Sequence, residues 1–235
     1  MSGIFITATG TGIGKTFITS GLLRYLNANG RPAEGFKPVM SGYEGPAGSD
    51  AASLLEAMGK MPTDDAVAEI SAFRFKAPLS PDMAALAENR CIDFSALTQF
   101  CHQAASRSGT VLIEGVGGVM VPLDTEHTVL DLMALLRLPV VLVAGSYLGS
   151  LSHTLTAAVA LKAAGLTTVT VVVNEAGAGP DAPAIPLADT AASLHRFLPE
   201  FEVVTLPRNP QDMDFAPVAS AIFRESDKTA AAVTD

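Results

Sequence analysis

The sequence contains no tryptophan, only two cysteines and few charged residues, and these shortages exclude several classes of protein. Charged residues make up 17% of the 235 residues, whereas 49% are hydrophobic. A disordered or fibrous chain is excluded, because such chains lack the apolar residues that build a packed core. Cys91 and Cys101 have no metal-like spacing and no partner cluster of histidines. We therefore expect a densely packed globular protein with reduced cysteines.

Long hydrophobic runs and excess positive charge are also missing. The longest apolar run, residues 138–144, is far shorter than the roughly 20 residues that cross a bilayer. Residues 1–5 lack the features of a signal peptide, so we expect a cytoplasmic protein. The net charge of -9 disfavours nucleic acids and acidic membranes as partners, because an acidic surface repels polyanions. Any anionic ligand must be held by individual lysines.

Apolar runs with the length of buried parallel strands recur along the chain. The predicted strands cover residues 3–7, 33–38, 110–114, 139–144, 168–174 and 202–206. Amphipathic segments lie between them, at residues 15–29, 50–58, 94–106, 129–136, 150–164 and 187–197. The runs do not alternate with polar residues, so both faces of the sheet are expected to be covered. The pattern predicts an α/β fold: a doubly wound, mostly parallel sheet with helices on both faces.

No repeat or long linker interrupts this alternation, so we expect a single domain over residues 1–224. Residues 225–235 are expected to form a disordered tail. Residues 59–81 mix short apolar and proline-rich pieces, which indicates an insertion over one edge of the functional site. Residues 177–186 are rich in glycine, alanine and proline and predict a surface loop.

The first predicted strand leads into the sequence ATGTGIGKT at residues 8–16, and a predicted helix follows at once. This order is typical of a phosphate-binding P-loop. The glycines let backbone N–H groups point at phosphate oxygens, and the helix N-terminus adds partial positive charge. Lys15 supplies a full charge to the outer phosphates, while the Thr16 hydroxyl can bind magnesium. The sequence therefore predicts a P-loop NTPase-like fold that uses ATP and Mg²⁺.

Two other interpretations of this turn are weaker. A glycine-rich turn at a strand–helix junction is common in α/β folds, and threonine stands at position 9, where a P-loop usually has its first glycine. The placement of Gly-Lys-Thr nevertheless favours the P-loop. A Rossmann dinucleotide site is disfavoured, because the second predicted strand ends in Phe36-Lys37 rather than in an acidic residue.

Three further charged residues stand at predicted element ends. Lys37 follows the second strand, where ligands gather in open α/β sheets. A second ammonium beside the P-loop suits an anionic acceptor, although most lysines simply lie on the surface. Glu114 ends the third strand, where P-loop enzymes hold metal, rather than acting as a solvated loop residue. Asp50 begins a predicted helix, and its role as an N-cap or as a metal ligand is open.

Taken together, these motifs resemble those of the dethiobiotin synthetase family. The resemblance covers residues 3 to about 210 in the family's order. The motifs are TGTGIGKT at residues 9–16, FKPVMSG at 36–42, SDA at 49–51, PLSP at 78–81, EGVGG at 114–118, GSLSH at 149–153 and VN at 173–174. The lysine motif and the EGVGG motif, combined with this P-loop, are specific, whereas each alone is not.

The resemblance implies an ATP- and Mg²⁺-dependent ligase of biotin biosynthesis. The family's reaction takes 7,8-diaminononanoate and CO₂ through a carbamate and a phosphorylated carbamate to a cyclic urea. Lys37, Lys15 and Thr11 would be catalytic, and Thr16, Asp50 and Glu114 would hold Mg²⁺. Nucleotide contacts are implied for Gly12, Ile13, Gly14, Lys15, Thr16, Phe17, Glu114, Asn174 and Pro207. Contacts with the diamine and the carbamate are implied for Thr11, Lys37, Ser41, Ser80, Gly117 and Gly118.

The resemblance also implies a homodimer, because in the family one helix N-terminus reaches the site of the partner subunit. Its residues would bind the distant carboxylate of the diamine. These residues are Gly149, Ser150, Leu151 and Ser152. His153, which follows them, is expected to be structural or interfacial.

Two other functions fit part of this sequence pattern. A P-loop switch of the partitioning or cell-division type carries an extra lysine early in its loop, and residues 9–13 contain none. Amidating synthases of the cobyrinic-acid group need a glutaminase domain, for which the chain has no room. The switch is therefore the main alternative function.

Overall fold

The computed structural model describes residues 3–166, 169–175 and 185–232. Within this part of the chain there are eight strands, and six of them form one sheet in the order β2-β5-β1-β6-β7-β8. Every neighbouring pair in that sheet is parallel. The strands are β1 (Gly3–Ala8), β2 (Ala33–Phe36), β3 (Val39–Met40), β4 (Phe73–Arg74), β5 (Thr110–Glu114), β6 (Val140–Gly145), β7 (Val169–Asn174) and β8 (Glu202–Leu206).

Nine α-helices and one 3₁₀ turn at Asp212–Phe215 accompany these strands in the described part of the chain. The helices are α1 (Lys15–Ala28), α2 (Asp50–Ala57), α3 (Asp64–Ile70), α4 (Pro81–Ala87), α5 (Phe94–Ala105), α6 (Val129–Leu136), α7 (Ser150–Ala163), α8 (Leu187–Phe197) and α9 (Ala216–Ala232). Both α1 and α5 contact β5, and both α8 and α9 contact β8. The predicted fold, a parallel α/β sheet covered on both faces, is confirmed.

The strand order explains where the site lies. From β1, in the middle of the sheet, the chain passes to the edge strand β2, returns to β5, and then continues from β6 on the other side. Ligand sites in such sheets lie at the carboxyl ends of the strands, near this reversal. The register pairs Ile6 with Glu114 and Phe36 with Ile113. Lys37 therefore leaves β2 beside Glu114, close to the end of β1.

The segment over residues 59–81 contains structure that the sequence did not predict. The Lys37 N–H donates to the Ile70 carbonyl at 2.9 Å, which ends β2 two residues before its predicted end. The strands β3 and β4 then pair in parallel as a second, two-stranded sheet. This small sheet brings the end of the segment to the edge of the site, as the sequence predicted.

The carboxyl-terminal region differs from the predicted tail. Helix α9 continues to Ala232, so residues 225–232 belong to a helix, while residues 233–235 lie outside the described part. Of the predicted loop at residues 177–186, only residues 185–186 are described. Among the described residues, none of the helices has the length and hydropathy to traverse a membrane. The single domain over residues 1–224 stays a prediction, supported by one continuous core cluster.

Close packing of α1 against the 3₁₀ turn gives a prediction about stability. A Cβ on Gly21 would lie 2.0 Å from Cζ of Phe215, whose side chain is fully buried. We expect Gly21→Ala to lower the free energy of unfolding by about 1–2 kcal/mol, because overpacking outweighs the higher helix propensity of alanine. Urea unfolding measures this. In a Phe215→Leu background the same exchange should cost less, and an equal cost in both backgrounds would contradict the clash.

Candidate active site

The loop between β1 and α1 has the backbone shape that its glycines predict. Gly12 and Gly14 have φ values of 73° and 101°, a region that favours glycine. A Cβ on Gly14 would lie 2.3 Å from Nδ2 of Asn174, so the close approach also requires glycine. Helix α1 begins at Lys15, and no described side chain caps its N-terminus. Its first N–H groups are therefore suited to an anion.

Asn174 supports this loop from behind. The side chain is 2% exposed at the end of β7, and its Nδ2 donates to the Ile13 carbonyl at 3.1 Å. Ile13 is itself buried in the core. The structure thus gives both residues a role in holding the loop, and their predicted contacts with the nucleotide stay predictions.

Lys15 spans the loop, and the hydrogen bonds that it forms with the described residues all go to neutral carbonyl groups. Its Nζ donates to the carbonyls of Gly10 at 3.0 Å and Gly117 at 2.5 Å. Burial first, and then the neighbouring Lys37 charge, lower the pKa of Lys15 to about 8, although two nearby carboxylates act in the opposite direction. Among the described residues no carboxylate forms an ion pair with Lys15, and a buried ammonium of this kind favours an anionic ligand, because such a ligand restores the balance of charge.

Four side chains form a charged cluster beside the loop: Thr16, Lys37, Asp50 and Glu114. Lys37 Nζ lies 2.6 Å from Glu114 Oε1 and 3.0 Å from Asp50 Oδ2. It also donates to the Gly115 carbonyl at 3.1 Å. Thr16 Oγ1 donates to the same Glu114 Oε1 at 2.7 Å. Glu114 is fully buried and Lys37 is 3% exposed, so neither is an ordinary surface residue.

The structure rules out the N-cap role that the sequence left open for Asp50, whereas its role as a metal ligand stays a prediction. The N-cap of α2 is Ser49, whose Oγ accepts a hydrogen bond from the Ala52 N–H at 3.1 Å. Asp50 is the first residue of the helix, and its carboxylate reaches Lys37 instead. Its side chain is therefore free to join the charged cluster.

Opposite charges in this cluster keep one another ionised. Burial disfavours the charged form of Lys37, but Glu114 and Asp50 outweigh burial and raise the pKa of Lys37 above its ordinary value. Burial likewise opposes the charge of Asp50, but Lys37, and then Thr16, hold the pKa of Asp50 below its usual range. At neutral pH the wall of the cavity therefore carries the ammonium of Lys37 and the ionised carboxylate of Asp50.

A cavity of about 560 Å³ opens between the P-loop, the end of β2 and the segment before α4. This volume is typical of a site for a small molecule. The predicted site residues that line it are Thr11, Gly12, Gly14, Lys15, Thr16, Phe17, Lys37, Ser41, Asp50, Ser80 and Gly117. Lys15 and Lys37 thus line the same cavity as Thr16 and Asp50. Ser80 also lines the cavity, and its buried Oγ has no hydrogen-bond partner among the described residues.

Other predicted residues lie outside the lining of this cavity. Gly118 packs against the P-loop, since a Cβ there would lie 3.2 Å from the Thr9 carbonyl. The residues Gly149, Ser150, Leu151 and Ser152 form the start of α7, and Gly149 has a φ of 95°. His153 Nδ1 lies 2.9 Å from the Tyr147 hydroxyl. Pro207 is exposed directly after β8. Their predicted contacts with ligands stay predictions.

The apolar part of the cavity wall was not predicted from the sequence. Met40, Val116, Leu79 and Val121 line it beside the polar residues. The first three lie inside the quoted motifs, and that placement was the available signal. Val121 had no such signal, because it lies outside the quoted motifs and packs close to Gly117.

The described residues fit a magnesium ion and a polyphosphate. Thr16, Asp50 and Glu114 offer only oxygen atoms, the ligands that Mg²⁺ prefers. Glu114 Oε2 is buried and has no hydrogen-bond partner within the described part of the chain, so it has an unused acceptor. The glycine loop and Lys15 provide N–H groups and one positive charge for phosphates.

The lowered pKa of Lys15 predicts a pH dependence of nucleotide binding. Without ligand, Lys15 is mostly an ammonium below pH 8 and mostly a neutral amine above it. Bound phosphates favour the ammonium, so binding above pH 8 requires the uptake of a proton. We therefore expect ATP binding to weaken by up to about tenfold per pH unit above pH 8. Calorimetric titration between pH 7 and 9.5 measures this. Lys15→Gln should bind weakly with little dependence on pH, and a constant affinity in the unmodified protein would contradict the prediction.

Comparisons with known proteins show the family to which this chain belongs. A family model described as an AAA domain matches residues 2–213. The ATP-dependent dethiobiotin synthetase of Acidiphilium cryptum (strain JF-5) is 49% identical over 202 residues, which are 84% of this chain and 89% of the relative. The corresponding protein of Caulobacter sp. (strain K31) is 42% identical over 212 residues, 88% of this chain and 89% of the relative.

A solved structure shares the fold. The MinC:MinD cell division protein complex of Aquifex aeolicus aligns with a TM-score of 0.51, covering 98% of this chain and 96% of its own. At 14% identity this likeness concerns the fold alone. The identity to the curated relatives extends over most of each chain, and on that ground the chain belongs to the dethiobiotin synthetase family.

Proposed function

We propose that this protein is an ATP-dependent dethiobiotin synthetase, a ligase that forms carbon–nitrogen bonds in biotin biosynthesis. The observation that carries the proposal is the cavity wall shared by Lys15 and Lys37. A site that only holds a nucleotide needs the P-loop lysine. The second ammonium, on a neighbouring strand end, suits a small anionic acceptor for the γ-phosphate.

The proposed reaction has three steps with 7,8-diaminononanoate, CO₂ and ATP. One amine nitrogen attacks the CO₂ carbon and loses a proton, which gives a carbamate. A carbamate oxygen then attacks the γ-phosphorus, and the bond from phosphorus to the ADP oxygen breaks. Finally the second amine attacks the carbamate carbon, loses a proton and expels phosphate, closing the cyclic urea. The products are dethiobiotin, ADP and phosphate.

Charge and position are the main contributions of the protein to this sequence. Lys15 and Lys37 would hold the carbamate oxygen against the γ-phosphate and neutralise the charge that develops on transfer. The Thr11 hydroxyl and the Gly12 and Gly14 backbone lie on the same wall. Together these groups favour an in-line approach of two anions that would otherwise repel each other.

Magnesium would be held by Thr16, Asp50 and Glu114. When bound, it supplies positive charge that neutralises the phosphate oxygens during transfer. Glu114 stands at the end of β5, and its Oε2, which has no hydrogen-bond partner among the described residues, supports this role. Asp50 reaches the same cluster from the first turn of α2.

The rest of the cavity suits an aliphatic diamine. Ser41 and Ser80 line it, and their hydroxyl groups would contact the amine and carbamate atoms. Met40, Val121 and Leu79 provide apolar contacts for a methylene chain. The nucleoside would lie toward Phe17, Asn174 and Pro207.

The distant carboxylate of the diamine is proposed to bind the α7 N-terminus of a partner subunit in a homodimer. Leu148 is 81% exposed and Leu151 is 37% exposed at this end of α7, which supports a contact there. Mass measurement in solution under turnover conditions tests the dimer. A monomer that retains full activity would refute the shared site. We also propose that the enzyme works in the cytoplasm.

Incubation with ATP, Mg²⁺, bicarbonate and 7,8-diaminononanoate tests the proposed reaction. We expect ADP and cyclic urea in equal amounts, identified by mass spectrometry. Leaving out the diamine should reduce ADP formation to background. ATP hydrolysis that is stimulated only by a protein or DNA partner would reject the enzyme and favour the cell-division type of switch.

A further inference from the structure

Lys37 has no free hydrogen-bonding capacity in this structure. An ammonium has three N–H donors. Those of Lys37 are directed at Glu114 Oε1, Asp50 Oδ2 and the Gly115 carbonyl. A carbamate in the cavity would need at least one of these donors. The arrangement therefore differs from the one that the proposed reaction requires.

The groups that hold Lys37 are those that would hold the metal. Glu114 Oε1 accepts from both Lys37 and Thr16, and Asp50 Oδ2 lies 3.0 Å from Lys37 Nζ. A divalent cation bound to these carboxylates would bring a second positive centre next to the ammonium. Two cations cannot share these carboxylates at close range without a large repulsion, because burial weakens screening by solvent.

Removal of Lys37 alone from this cluster would be costly. Glu114 is fully buried, and a buried carboxylate without a cationic partner is strongly destabilised. A positive charge at this place therefore stabilises the protein. Lys37 supplies it in the present arrangement.

We propose that the Lys37 ammonium is the internal counter-ion of the Glu114 and Asp50 carboxylates and is released into the cavity when a divalent cation replaces it. The inference rests on the proposed function and describes how its site is regulated. Lys37 then gains free N–H donors only in the metal-loaded state. Capture of the carbamate is thereby coupled to the presence of metal and nucleotide.

Two consequences follow for the protein before any reaction. Lys37 competes with divalent cations for the carboxylates, so metal binding without nucleotide is weakened. The Lys37 amine is also shielded from reagents until a cation is bound. Both consequences are measurable without the diamine or bicarbonate.

Binding of Mn²⁺ alone, measured by electron paramagnetic resonance of the free ion, tests the competition. We expect Lys37→Met to bind Mn²⁺ at least about tenfold more tightly than the unmodified protein, because the competing charge is gone. Lys37→Met/Glu114→Gln should lose this gain. Lys60→Met is the control, since that lysine is half-exposed and pairs with Glu34 at 3.6 Å on the surface; its Mn²⁺ affinity should stay unchanged.

Acylation of lysines, located by mass spectrometry, tests the release. Mg²⁺ with ATP analogue should raise the reactivity of Lys37 relative to Lys60 in the unmodified protein. Equal Mn²⁺ affinity in a folded Lys37→Met variant would overturn the proposal, as would unchanged reactivity of Lys37. Circular dichroism establishes that each variant is folded. Both readouts are independent of product formation, so their failure differs from failure of the proposed reaction.

Discussion

Lys37→Met is expected to lower kcat of the proposed reaction by about 10³-fold, because one full charge that stabilises phosphoryl transfer is removed. Methionine keeps the length of the side chain, so the wall of the cavity changes little in shape. The decrease is measured as ADP and cyclic urea formed with saturating ATP, diamine and bicarbonate.

Nucleotide binding should respond much less to the same change. Lys15 and the glycine loop remain intact in Lys37→Met, and they form the predicted phosphate contacts. Calorimetric titration with an ATP analogue separates the two effects. Lys60→Met serves as the matched exchange on the surface and should leave both kcat and binding unchanged. Turnover within a few-fold of the unmodified protein would remove Lys37 from the mechanism.

Glu114→Gln should lower both stability and activity. The fully buried glutamate is the close partner of buried Lys37, and removal of its charge leaves the ammonium with only the half-exposed Asp50. We expect the free energy of unfolding to fall by on the order of 3 kcal/mol. We also expect at least a ~100-fold loss of kcat, because a proposed metal ligand loses its charge. Urea unfolding and steady-state kinetics measure the two effects.

A matched exchange separates buried from surface charge. Glu34→Gln removes a glutamate that pairs with Lys60 and Arg107 near the surface. Exposed pairs of this kind contribute about 0–1 kcal/mol. Equal losses of stability in Glu34→Gln and Glu114→Gln would contradict the special role of the buried charged cluster.

Local sequence patterns predicted most of the fold. All six predicted helices begin at their predicted residues, from Lys15 in α1 to Leu187 in α8. Their periodicity is a local property, and the strands have the uniform apolar character of a sheet covered on both faces. The helical continuation of residues 225–232 was missed, because the polar composition there resembles that of a tail.

The sequence by itself determined the P-loop, since its glycines and lysine are adjacent in the chain and act through local backbone geometry. It also placed Lys37 and Glu114 at strand ends. Only the tertiary structure decided what these residues contact. Lys37 and Glu114 are 77 positions apart, and the register of β2 with β5 brings them together.

The roles of Asp50 and Lys37 depended on the same long-range packing. Sequence alone left Asp50 as either an N-cap or a metal ligand, because both roles suit an acidic residue at a helix start. In the structure Ser49 is the N-cap of α2, and the Asp50 carboxylate forms an ion pair with Lys37. Likewise, residue type predicted a cation at position 37. Only the structure showed that all three N–H donors of Lys37 have acceptors, because buried charged groups must be paired.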